Sequence, residues 1–266
     1  MTDMKKRVRL MMLFLVFSAA GQAQNFCGLS NISFQPGEKI TLKVYYNLGS
    51  IFVGAGEATF NTTLEQMKGR PVYHVVGEGR TYGSYDWIFK VRDRYETYVD
   101  TANLLPLRFI RNINEGGYKK HEDVTFNQEQ HTAVSLKGTH QVPACIQDVI
   151  SSVFYARNID FGKYNPGDKI PFAMFLDDEV YNIYIRYMGK EQVSTRYGKF
   201  NAIKIKPLLI KGTIFEGGEK MTVWVSDDRN HIPLRINSPI TVGSIKVDMI
   251  GYQHLRYPLS SMIGRR

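Results

Sequence analysis

Asp100-Thr101-Ala102-Asn103-Leu104-Leu105-Pro106-Leu107-Arg108 returns 127 residues later as Asp227-Asp228-Arg229-Asn230-His231-Ile232-Pro233-Leu234-Arg235. The shared pattern is D-x-x-N-x-[L/I]-P-L-R. Two further anchors hold nearly the same spacing. Pro36-Gly37-Glu38-Lys39-Ile40 is echoed by Pro166-Gly167-Asp168-Lys169-Ile170 at an offset of 130, and Gly69-Arg70 by Gly198-Lys199 at an offset of 129. The chain therefore reads as an internal duplication with small insertions and deletions.

The anchors are turn chemistry. In Pro-Gly, proline presets φ and glycine accepts a positive φ. In the nine-residue motif, Asp and Asn can bond local backbone, and proline then opens a strand where its missing donor does no harm. Arg108 and Arg235 follow on those strands. Turn chemistry alone accounts for the motif, and the two arginines are carried as candidate ligand contacts.

Between the turns the segments are short and rich in β-branched and aromatic residues. Ile40, Leu42, Val44 and Tyr46 alternate with Thr41, Lys43, Tyr45 and Asn47, which predicts a half-buried strand. Further strands are expected at residues 55–63, 72–77, 87–99, 107–114 and 119–126, and the second half repeats the theme up to residues 244–253. One stretch, Ala144 to Asn158, breaks the pattern. There Ile146, Val149, Ile150, Val153 and Phe154 recur at helical spacing and predict an amphipathic helix, with Asp148, Ser151, Ser152 and Arg157 on a solvated or capping face. The fold class expected is all-β and mainly antiparallel. Duplicated β-rich halves, residues 24–140 and 161–266, would form a large curved, barrel-like sheet linked by one amphipathic connector helix within residues 141–160. A single assembly is preferred because each half alone would leave open strand edges.

Residues 1–23 stand outside this fold. Lys5, Lys6, Arg7 and Arg9 precede the apolar run Leu10 to Ala20, the pattern of a secretory signal peptide cleaved after Ala23. No segment reaches the roughly 20 apolar residues of a membrane-spanning helix. Lipid anchoring is not expected, because Gln24-Asn25-Phe26 rather than a small-residue signal precedes Cys27. The leader carries four of the 34 basic residues and one of the 25 acidic ones, which leaves a mature net charge of +6. That charge is scattered, so a solvated mixed surface is expected and a nucleic-acid partner is not. The chain has only two cysteines. Export places both where oxidation is allowed, and a Cys27–Cys145 disulfide is predicted.

Several stretches together resemble a known family. Pro36-Gly37-Glu38, Gly54-Ala55-Gly56-Glu57-Ala58, Leu105-Pro106-Leu107-Arg108 and, above all, Asp148-Val149-Ile150-Ser151-Ser152-Val153-Phe154-Tyr155-Ala156-Arg157 are similar to an exported bacterial family known only as domain of unknown function 3108. The resemblance spans nearly all of the mature chain. It implies a mostly β protein of the Gram-negative envelope, here periplasmic, and brings no catalytic residues with it.

Motifs for chemistry are sparse. The six histidines include no H-x-x-x-H pair, and His121-Glu122-Asp123 alternates across a strand, so its side chains cannot converge. There is no G-x-S-x-G elbow. Gly54-Ala55-Gly56-Glu57 lacks the third glycine and helix of a dinucleotide site and reads as a β-bulge or close strand contact. No catalytic residue, metal site or cofactor is assigned. What remains is the tyrosine-rich first half, since tyrosine joins an apolar body to a polar tip and suits amphiphiles or sugars. Tyr46, Phe52, Tyr82, Tyr85 and Trp87, with Arg108 and Arg235, are the candidate ligand-binding residues. The function expected is non-catalytic carriage of an apolar or amphiphilic, lipid-like envelope ligand in a cavity of the sheet, beneath the connector helix. A glycan is a further possible ligand. The alternatives are an envelope-assembly scaffold with a protein partner and, less favoured, an enzyme acting on glycan or peptide.

Overall fold

The computed structural model describes residues 27–211 and 217–265; the expected leader lies outside the described residues. The first meander comprises β1 (Lys39–Leu48), β2 (Ile51–Met67), β3 (Arg70–Thr81), β4 (Arg92–Asp100), β5 (Pro106–Glu115) and β6 (Tyr118–Asn127). A short hairpin, β7 (Thr132–Ser135) and β8 (Gly138–Gln141), extends it. After the helix α1 (Val149–Ala156) come β9 (Lys169–Leu176), β10 (Glu179–Ser194), β11 (Gly198–Pro207), β12 (Thr222–Ser226), β13 (Pro233–Pro239) and β14 (Ser244–Gln253). The last strand, β15 (Met262–Arg265), lies against β11. All fifteen form one sheet, in which β1 to β6 pair in sequence, β9 to β14 do likewise, and β1 joins β14 antiparallel. The two meanders thus share one neighbour order, and the sheet they build is curled but not closed. This is the expected all-β class.

The repeated anchors do the same work in each meander. Gly37 donates its N–H to the Thr62 carbonyl and Gly167 to the Tyr187 carbonyl, both at 2.7 Å. Their φ values are +86° and +103°, conformations that glycine adopts without strain. In the nine-residue motif the corresponding Leu104 and His231 both take positive φ, 59° and 44°. The register slips just before each motif, at Tyr98/Val99 and Trp224/Val225, and Pro106 and Pro233 then open β5 and β13.

The helix lies inside the curl. Asp148 caps it, accepting from the backbone N–H of Ile150 (2.7 Å) and Ser151 (2.8 Å), while Ser151 Oγ accepts from the Asp148 N–H (2.8 Å). The sequence placed Asp148, Ser151, Ser152 and Arg157 on a solvated or capping face. The capping is found, but all four are buried, and the helix instead leaves Val153 exposed at 40%, because its polar side turns to Glu38 and Thr97 within the fold. The helix is also shorter than Ala144–Asn158. Its expected first turn is extended chain instead, in which Gln147 pairs with β9, donating to Ala173 O (3.0 Å) and accepting from Phe175 N (2.8 Å). Ile150, Phe154 and Tyr155 enter a core with Phe34, Val75, Phe109, Val124 and Ile203. Phe154 meets Phe34 edge-on with centroids 5.0 Å apart. Each such side chain stabilises the fold by about 1.5–3 kcal/mol. Beneath α1, where a ligand was expected, these side chains pack into the core.

Burial of Asp148 has a pH consequence. Desolvation pushes its carboxyl up to about 6, with the hydrogen bonds from Thr97, Ser151 and Ile150 pulling the other way. Since the folded value exceeds the unfolded one, folding takes up a proton. Stability is therefore fullest below the ordinary carboxylate range and declines as pH rises through about 6. Asp148→Asn keeps an oxygen for the cap and should flatten that decline. Urea denaturation at about pH 4.5 and about pH 7.5 measures it, and an unchanged slope would remove the assignment to Asp148.

The edge strands β8 and β9 do not pair with each other. Gln147 pairs along β9 on that side, and the seam is crossed by charges around the β9–β10 turn, whose Asp177 and Asp178 both have positive φ. Asp177 is held by Arg111 and Lys120. Asp178 pairs with Lys137 at 2.8 Å and His140 at 3.5 Å. Burial pushes the Glu122 carboxyl up, whereas Lys120 and Arg111 hold Asp177 down against its own burial.

Candidate functional site

Alternate connections of an antiparallel meander share one end. Asn47, at the end of β1, faces Ser244, at the start of β14. The β1–β2, β3–β4, β5–β6 and β13–β14 connections therefore gather at a single end of the sheet. Tyr46, Phe52, Tyr82, Tyr85 and Trp87 all lie there. Arg108 and Arg235 do not, because they stand near the starts of strands that rise from the opposite end.

Each of the five is fixed by a local device. Tyr46 Oη donates to Val242 O (3.1 Å), tying the β1–β2 and β13–β14 connections together. Phe52 stacks on Tyr45 with centroids 5.2 Å apart and planes 6° from parallel. Tyr82 donates its N–H to Ala55 O (2.9 Å) and leads into a 3-10 turn, Gly83–Tyr85. Trp87 was expected on a strand from residue 87 to 99, but β4 begins only at Arg92. Asp86 causes the difference: it accepts from Thr81 Oγ1 (2.7 Å) and from Arg92 Nη2 (2.7 Å), which pins the chain into a loop. Those two bonds also hold the Asp86 carboxyl below its usual range, the Thr81 contact contributing most. Trp87 is left 83% exposed.

The bulge read from Gly54-Ala55-Gly56 is present, with pairing stepping from Val44↔Gly56 to Tyr45↔Gly54. A Cβ on Gly56 would lie 2.3 Å from Arg80 O, so no larger residue fits. A Cβ on Gly54 would meet Lys43 Cε at 2.7 Å. That space lets Lys43 Nζ sit 5.7 Å from the Tyr45 ring and 5.8 Å from the Tyr82 ring. Arg196 covers Tyr45 as well, at 5.1 Å.

Next to this cluster runs a groove of about 370 Å³. Phe52, Trp224, Pro239 and Ile245 supply apolar wall, while Asn47, Asn237, Ser244 and Lys246 supply polar edge. Trp224 is held in place by a hydrogen bond from its Nε1 to Glu191 Oε1 (2.6 Å) and by Lys204, 5.6 Å from its ring. The sequence reading missed Trp224, although the alternation Val223-Trp224-Val225 puts it on the face opposite two apolar neighbours. A larger groove, about 580 Å³, lies at the opposite end and includes Arg108 with Leu105, Leu107, Lys68 and Arg70, and nine of its thirteen lining residues are polar or charged.

The two motif arginines form equivalent ion pairs. Arg108 binds Asp123 through Nε (2.9 Å) and Nη2 (2.5 Å), and Arg235 binds Asp248 in the same two-point manner at 2.6 and 2.9 Å. Each motif thus clamps the next strand, and the arginines are engaged within the fold. On β6, Glu122 is buried while His121 is exposed, as strand alternation requires. Among the described residues no three His, Cys, Asp or Glu side chains converge to hold a metal ion, and no helix is long and apolar enough to cross a membrane.

A family model described as "Protein of unknown function (DUF3108)" matches residues 41–250. The chain is similar to the crystal structure of a β-barrel-like protein of the DUF1849 family from Brucella abortus, with a TM-score of 0.54 and 10% identity over 85% of this chain and 100% of that one. A candidate lipoprotein of Parabacteroides distasonis gives a TM-score of 0.38 at 10% identity, covering 85% of this chain and 99% of that one. The Brucella protein supports the barrel-like fold. No curated protein matches the chain.

Proposed function

We propose a function for a chain that belongs to the DUF3108 family, proteins of unknown function: it is an exported, periplasmic envelope protein that binds an apolar or amphiphilic, lipid-like ligand without converting it. The ligand lies in the surface groove walled by Phe52 and Trp224, not beneath the helix. The observation that carries this reading is the groove itself. Its volume of about 370 Å³ falls within the roughly 300–1,000 Å³ of ligand sites. Two aromatic faces offer apolar contact, and Lys246 with the asparagine and serine edges offers partners to a polar or anionic head. Export follows from the leader pattern, and Cys27–Cys145 suits an oxidising compartment.

The test uses oleate as the probe. In a Trp87→Phe background, which leaves Trp224 as the sole indole, oleate should shift and quench tryptophan emission saturably. Phe52→Ala should weaken binding about tenfold or more, as expected for losing a buried aromatic contact. Saturable binding of oleate that Phe52→Ala leaves unchanged, or no binding at all, would sink the groove assignment.

A further inference from the structure

We infer that the end of the sheet bearing Trp87 docks on an anionic phospholipid surface. Eight of the fourteen large apolar side chains exposed among the described residues lie on the four connections at this end or on the strand ends that flank them. Trp87 is 83% exposed, Ile88 62%, Val242 58% and Ile51 52%. Apolar groups concentrated this way mark a contact surface, whereas exposed apolar residues scattered singly would not.

The connections are held as a set. The β3–β4 loop is bonded to the β5–β6 turn through Gly116 N to Lys90 O (2.9 Å). Phe89 lies directly on Gly116, where a Cβ would fall 2.3 Å from its ring. At the other side, Tyr46 bonds to Val242 O, and a Cβ on Gly243 would fall 2.4 Å from Asn47 O. The apolar tips are therefore presented by linked turns, which lowers the ordering cost of insertion.

Charge selects the occupant. Lys90 and Lys119 stand exposed beside Phe89 and Tyr118, and neither forms an ion pair among the described residues. The nearby carboxylate of Asp86 is neutralised by Arg92 at 2.7 Å. Indole and aliphatic tips flanked by free lysines match an interface in which rings enter the acyl boundary and ammonium groups meet lipid phosphates. The inference stands apart from the groove reading, since it rests on tips that line no groove, although Phe52 belongs to both surfaces.

Vesicle co-flotation tests it, with protein recovered from the periplasm of an expression host so that any leader has been removed. Vesicles of phosphatidylethanolamine with phosphatidylglycerol should carry the protein up, and vesicles of phosphatidylcholine alone should not. Trp87→Ser/Ile88→Ser should reduce the bound fraction about tenfold or more, and Lys90→Glu/Lys119→Glu should do so for anionic vesicles. In a Trp224→Phe background, Trp87 emission should move to the blue on binding. The side chains of Trp87, Ile88, Lys90 and Lys119 are exposed, and circular dichroism verifies that these and the Trp224 variants fold. Equal flotation of wild type and both variants, or binding of a periplasmic protein through this end with no vesicle association, would overturn the inference. Trp224→Ala should leave flotation unchanged, so the groove and the docking end fail separately.

Discussion

Arg157→Ala is expected to destabilise the protein by about 3–5 kcal/mol, the cost of leaving a buried charge without its partner. Arg157 and Glu38 have side chains only 3% and 1% exposed, and their two-point contact measures 2.6 and 2.9 Å. Arg157 Nε also donates to Asn230 O (3.0 Å), and its guanidinium lies 5.4 Å from the Phe34 ring and 5.1 Å from the Phe154 ring. One side chain thus ties together the turn before β1, the end of α1 and the second copy of the repeated motif. Truncation would strand the Glu38 carboxylate in that setting. Glu38→Gln/Arg157→Met removes both charges while keeping volume, and should cost less than Arg157→Ala alone. Urea unfolding of the two variants decides the matter. A double variant at least as damaged as the single one would show that packing, not charge pairing, governs the site.

Loss of the Cys27–Cys145 disulfide should have a comparable effect. The bridge is formed, with Cα atoms 5.4 Å apart and a sequence separation of 118. In the chain-entropy account, a loop of that length stabilises the folded state by about 5 kcal/mol relative to the open chain. Cys27→Ser/Cys145→Ser should lower the urea midpoint accordingly without changing far-UV circular dichroism, since the N-terminal arm keeps other ties. Ser33 Oγ donates to Arg157 O (2.5 Å), and Ile32 N donates to Asn158 Oδ1 (2.6 Å). A midpoint shift equivalent to less than about 1 kcal/mol would mean that those ties already hold the arm closed in the unfolded ensemble.

What could be read from the sequence was the part fixed by local chemistry. The motif Asp100–Arg108 announced its turn, its strand start and its twin at Asp227–Arg235, because Asp, Asn and Pro act on backbone only a few residues away. The bulge at Ala55 was legible for the same reason. Partners across the sheet were not. Nothing near Arg108 or Arg235 names Asp123 or Asp248, which stand on the following strands, so two arginines engaged in ion pairs were read as candidate ligand contacts. The polar side of α1 was misread as partly solvated because its partners, Glu38 and Thr97, lie 119 and 51 residues away. Trp87 was extended into a strand because residues 87–99 alternate well, and only the Asp86 contacts with Thr81 and Arg92 show why the chain bends. The aromatic crowding of the first half was visible, yet its gathering with Val242 depends on β1 pairing with β14.

The join between the two edge strands has a mechanical meaning. Elsewhere around the circumference, neighbouring strands are laced by backbone ladders, whereas here the paired charges of Asp177 and Asp178 and the packing of Phe175 on Phe126 and His140 serve as a clasp. The molecule is a split ring, and strong acid should weaken that clasp before any ladder, because protonating Asp177 and Asp178, both held below their usual range, removes its charges and leaves the Phe175 packing to hold it.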